Sequence, residues 1–148
     1  MFPVRYALLA LVLTALVLPA AAAATSNEGY LGVDRVAITM DGADAEVRMD
    51  YHLDGGMRIL IFLVGTGDLE QKVKRVLNFE GARVEEIDTS HAIVRVEDAA
   101  IDYGDGTYWF PEHRFRVTVP LVTVKTPQYT QSFRNTLLTP RGIGYYLV

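Results

Sequence analysis

The richest stretch of chemistry-bearing side chains runs from Asp98 to His113, where Asp98, Asp102, Asp105 and Glu112 alternate with Tyr103, Tyr108, Trp109 and Phe110. Carboxylates beside glycines can hold calcium, and aromatic faces beside hydrogen-bonding acids can hold a sugar or a peptide. In Asp102-Tyr103-Gly104-Asp105-Gly106 the acids stand three positions apart, which does not match a D-x-D-x-D-G calcium loop. The residues singled out for ligand contact are therefore Asp102, Asp105, Tyr108 and Trp109. A hairpin with its aromatics packed beneath it explains the same pattern without a ligand.

A second group is Asp50, His52 and Asp54, which alternation along a strand places on one face. Metals favour such donors, and His91 and His113 would complete a site if the fold gathered them. A solvent-facing strand has the same composition, and no metal or cofactor is expected. Gly65-Thr66-Gly67 begins like the glycine-rich turn that cradles a pyrophosphate, but Glu70 stands where the third glycine belongs and Asp68 would repel a phosphate at a helix start. Asp88-Thr89-Ser90 resembles the Asp-Thr/Ser-Gly turn of aspartic proteases. Glu85 and Glu86 precede it where that family has an apolar strand, and Ser90 replaces the glycine, so a tight hairpin turn is expected. The serines at 26, 90 and 132 lie outside any G-x-S-x-G, and Ser90 beside His91 on a strand points to the opposite face.

Composition narrows the classes further. Lys and Arg total 14 against 18 Asp and Glu, a net charge of −4, and Lys72, Lys74 and Arg75 form the densest basic cluster. Such a chain has no stripe to neutralise phosphates, so nucleic acid is excluded as a partner. The absence of cysteine removes disulfides, thiolate zinc sites and a cysteine nucleophile together.

The opening residues carry one positive charge at Arg5, then no charge from Tyr6 to Ala24, with Ala7 to Leu18 forming an apolar core interrupted only by Thr14. That is the pattern of an export signal, with Pro19 breaking the run and Ala22-Ala23-Ala24 offering cleavage before Thr25. An uncleaved anchor is the alternative, and it would be the chain's contact with a membrane. Either way the domain is expected outside the cytoplasm, secreted or at the cell surface. Residues 1–24 are thus read as a leader, 25–32 as a short tether and 33–148 as a single domain.

The elements that must position these groups follow from periodicity. Val36 to Met40 and Val47 to Leu53 alternate on either side of Asp41-Gly42-Ala43-Asp44, a hairpin. Ile59 to Val64 is apolar on both faces and is expected as a central strand. Asp68 to Phe79 is the expected helix, with Leu69, Val73, Val76 and Leu77 on one stripe, Asp68 as cap and Gly81 as terminator. Further strands are expected at 83–87, 92–96, 115–121 and 143–148, with Pro120 marking an edge or a bulge. The crossover from Ile59 to Ile87 is expected to supply a parallel pair.

The fold class is strand-rich α+β: a mainly antiparallel sheet of about six to seven strands with one helix packed across it. A β-sandwich with one inserted helix is the alternative. The functional expectation is an exported, non-enzymatic binding module for a protein or glycan partner. A membrane-anchored accessory domain and a secreted hydrolase are the other readings.

Overall fold

A computed structural model describes residues 27–139 and 141–148. The segment read as an export signal lies outside the described residues. The chain is strand-rich α+β, as expected, with two helices among the described residues rather than one.

In chain order come β1 (Asn27–Glu28), β2 (Leu31–Asp41), β3 (Asp44–Leu53), α1 (Gly55–Val64), α2 (Gly67–Leu77), β4 (Arg83–Ile87) and β5 (His91–Val96). They are followed by β6 (Ile101–Asp102), β7 (Thr107–Phe110), β8 (Arg114–Lys125), β9 (Thr130–Leu138) and β10 (Ile143–Tyr146). A seven-stranded mixed sheet runs β4-β5-β3-β2-β8-β9, with β1 added against β2. A smaller sheet of three strands runs β10-β7-β6.

The hairpin at 41–44 forms as its turn residues require. Asp41 pairs with Asp44, and Gly42 takes a φ of 59° that a two-residue connection needs and a Cβ resists. From there β2 and β3 send alternate residues into the core: Val36, Ile38 and Met40 from one, Val47, Met49, Tyr51 and Leu53 from the other. The same face of β5 and β8 adds Val94, Val117 and Val122. The stripe foreseen on α2, Leu69, Val73, Val76 and Leu77, is fully buried with this face. Phe110, Ile143 and Tyr145 of the small sheet join the same core.

Several expectations are corrected. Ile59 to Val64 is not a central strand; it is the second half of α1, which begins at Gly55 and whose only buried residue is Ile61. The chain at Asp54-Gly55-Gly56 is the helix entry, where the Asp54 carbonyl accepts from the amides of Met57 and Arg58. The second helix ends at Asn78, in the left-handed conformation at φ 58°, ahead of Gly81. Its cap position is Thr66, which makes no side-chain capping bond; Asp68 falls inside the helix, and its carboxylate accepts from the Tyr30 hydroxyl at 2.5 Å.

The parallel pair lies between β2 and β8, not around the helix, since β4 pairs antiparallel with β5. Pro120 keeps its expected character: the ladder of β8 with β2 begins only at Val122, so Pro120 has no partner on that side, and the inward alternation breaks there, with Val119 and Val122 both buried. The stretch read as a tether contributes β1 and the start of β2, where Leu31 is wholly buried.

The α2 stripe is the joint between the layers, so truncating it leaves a cavity. Leu77→Ala is expected to cost about 2–5 kcal/mol in urea unfolding. Leu63→Ala, on the exposed side of α1, is expected to stay within about 0.5 kcal/mol of the parent.

Candidate functional site

Each sequence-derived candidate has a definite place. In the β6–β7 connection, Asp102 accepts from the Gly104 amide at 2.7 Å and Asp105 from the Thr107 amide at 2.9 Å. Both carboxylates close their own turns, and the Thr107 amide holds the Asp105 carboxyl below the usual carboxylate range. Tyr108 stacks on Tyr145 with ring centroids 5.5 Å apart. Trp109 is partly exposed and lies flat against Gly142 and Gly144, where a Cβ on Gly142 would come within 2.5 Å of its ring.

The face holding Asp50 and His52 is a network of ion pairs. Burial tends to raise the Asp50 pKa, but hydrogen bonds from Arg35 at 2.9 Å and Arg48 at 2.9 Å outweigh it and keep the group ionised. His52 contacts Asp34 at 2.9 Å. Asp54 stands at the entry to α1 with no capping bond from its side chain.

The three histidines are not brought together. His91 lies between Asp88, 2.9 Å from Nδ1, and Glu86, 3.1 Å from Nε2. The Ser90 hydroxyl donates to Asp88 at 2.8 Å, and its approach to His91 Nδ1 is 3.4 Å. That contact is closer than strand alternation allows, because Ser90 sits in the turn ahead of β5. With Asp88 also accepting from the amides of Ser90 and His91, the cluster is a hairpin turn holding itself shut. No group of three or more acids and histidines able to hold a metal occurs among the described residues.

His113 borders an open cleft of about 400 Å³, with Phe79, Glu80, Glu97, Asp98 and Phe110 among its lining. Its Nε2 lies 2.6 Å from the Leu77 carbonyl, an acceptor, so Nε2 carries the proton and the ring satisfies an otherwise unpaired helix-end oxygen. The ring stacks on Phe79 at 3.6 Å, and the Asn78 amide group donates to the Arg114 carbonyl. Burial lowers the His113 pKa and outweighs the Leu77 hydrogen bond, which raises it. This histidine therefore fastens the end of α2 to the start of β8.

The feature that sequence reasoning missed is α1. Around it run two clefts, one of about 340 Å³ with Arg58, Ile59 and Phe62 facing Thr89, the other of about 230 Å³ between Tyr30 and Leu60, Val64 and Asp68. Ile59 is 66% exposed, Leu60 47%, Phe62 88%, Leu63 74% and Val64 78%. At about 100° per residue these five span an arc of about 200°, twice the stripe of an ordinary surface helix. A signal was available in the sequence: Asp54 before and Gly65 after bracket ten residues, a helix length with a helix start and stop.

No family model, curated protein or solved structure matches this chain.

Two measurements check this geometry. A folded His113 that resists its proton makes the unfolded chain bind more protons below about pH 6.5, the unfolded value. Stability is therefore lost as pH falls through that value toward the folded one, and in His113→Phe this component of the urea-midpoint profile between pH 7 and 5 should vanish. Gly142, at φ 66° and under the Trp109 ring, should tolerate no side chain: Gly142→Ala is expected to destabilise by about 1–3 kcal/mol and to shift Trp109 fluorescence toward the solvent-exposed wavelength.

Proposed function

We propose that this chain is an exported, non-enzymatic binding module whose contact surface is α1. The single observation that supports it is the run of exposed apolar side chains from Ile59 to Val64. Burying each would be worth about 1.5–3 kcal/mol, and contiguous patches of this kind mark sites of association. Scattered apolar residues on a surface need no explanation, but five in six consecutive positions do. Asp50, His52, Asp88, His91, Asp102 and Asp105 are engaged in turns and ion pairs, which favours binding over hydrolysis as the role. Export rests on the Arg5 charge and the uncharged run from Tyr6 to Ala24.

Export is checked by intact mass of the protein recovered from the cells that make it: the mature species should begin near Thr25 or, if anchored, remain membrane-bound with the domain open to external protease. A cytosolic full-length protein would refute it. Contact through α1 is checked by a photo-crosslinking phenylalanine at position 62 in the same cells, with position 116 on the opposite, charged face as reference. Adducts are expected at 62 and should disappear when Leu63→Asp and Val64→Asp are added. Equal labelling at both positions would sink the reading.

A further inference from the structure

The geometry points to a phospholipid bilayer as the occupant of α1: the helix lies in the membrane interface, with Ile59, Phe62 and Leu63 directed into the acyl boundary. This deepens the proposed binding role and rests on it. Three observations carry the inference.

The first is shape. A protein groove receives one helical stripe, with anchors at i, i+3, i+4 and i+7. Here the exposed apolar arc of about 200° leaves Ile61 as the one buried side chain of the helix. A fluid acyl layer can wet such an arc all round, whereas a rigid groove cannot. The ten residues of α1 are about 15 Å long, half the thickness of a hydrocarbon core, so the helix lies along the surface and does not cross.

The second is connectivity. The Asp54 amide donates to the Tyr30 carbonyl at 3.2 Å, and the Tyr30 ring lines a cleft with Leu60 and Val64. Tyr30 is six residues beyond Ala24, where the apolar, alanine-rich stretch ends. The chain therefore leads from its most lipid-compatible sequence directly to the side of the domain that carries α1. A segment held in a bilayer would deliver this helix to the same bilayer's surface.

The third is charge. Arg58 on the helix and Lys72, which stands 4.9 Å over the Tyr30 ring, are balanced by Asp54 and by Asp68, the partner of the Tyr30 hydroxyl. With a net charge of −4 overall, the protein has no electrostatic pull toward anionic lipid. Insertion is thus apolar in origin, and a zwitterionic surface suffices.

The absence of cysteine makes the test direct. Phe62→Cys in the full chain gives a unique thiol for an environment-sensitive nitrobenzoxadiazole dye, and Arg116→Cys gives the reference site. With vesicles of phosphatidylcholine alone, the dye at 62 should shift to the blue and be quenched by lipids spin-labelled near the headgroup. The dye at 116 should do neither, even if residues 1–24 hold the protein on the vesicle. Adding Leu63→Asp and Val64→Asp should abolish both signals at 62 while Trp109 fluorescence and the urea midpoint stay as in the parent.

Raised salt should leave the response at 62 unchanged. A response confined to anionic vesicles and lost in high salt would overturn the inference. So would a blue shift without lipid accompanied by doubled mass in light scattering, which would assign α1 to a second copy of the chain. No response at 62 on vesicles, alongside protein adducts at 62 in cells, would overturn the lipid assignment while leaving the binding role intact; no adducts would remove both.

Discussion

A seven-stranded sheet with one oily face has room for one apolar cover, and the filling of that face by α2 and the small sheet governs the rest of the molecule. Leu69, Val73, Val76 and Leu77 lie in one core with the inward residues of the strands and are wholly buried there. The opposite face is charged, with Arg35, Arg48 and Asp50 paired across β2 and β3. A helix as apolar as α1 gains nothing by docking there. It is left at the side of the domain, tied in by Ile61 and by the backbone bond between Asp54 and Tyr30.

The polar groups show the same economy of position. Asp88, Asp102 and Asp105 each accept from amides two or three residues on, so the turns around them need no external ligand to be satisfied. Asp44 serves two purposes. It accepts from the Asp98 amide and from Arg95, which keeps its pKa low and joins the β2–β3 turn to the chain leaving β5. Deeper in the core, Tyr51 donates to the carbonyls of Asp88 and His91, and Tyr145 to that of Gly42. Burial raises the pKa of both phenols, so each remains a neutral donor. The two phenols tie the hairpin turns to the strands beneath them.

Much of the fold was legible in the residues themselves. Period-two alternation located β2, β3, β5 and β8, and the spacing of Leu69, Val73, Val76 and Leu77 located α2. These patterns are local, because one face of each element is buried and the other is not. The run from Ile59 to Val64 defeated the same method. Apolar on all sides, it carries no period to separate a strand buried on both faces from a helix buried on almost none, and the structure makes it the latter. Acids, histidines and aromatics carry recognisable chemistry in a sequence, whereas an exposed apolar helix such as 59–64 has there the same pattern as a buried element.

What the sequence determined alone was the set of short-range facts: strand-rich composition without cysteine, the hairpin turns, and the amphipathic stripe of α2. These follow from backbone sterics and from neighbours a few residues apart. Only the tertiary structure decided that β2 lies parallel to β8, that His113 closes the end of α2, and that α1 stands outside. Each depends on groups far apart in the chain competing for the same limited buried area, and that competition is settled only when all of them are placed at once.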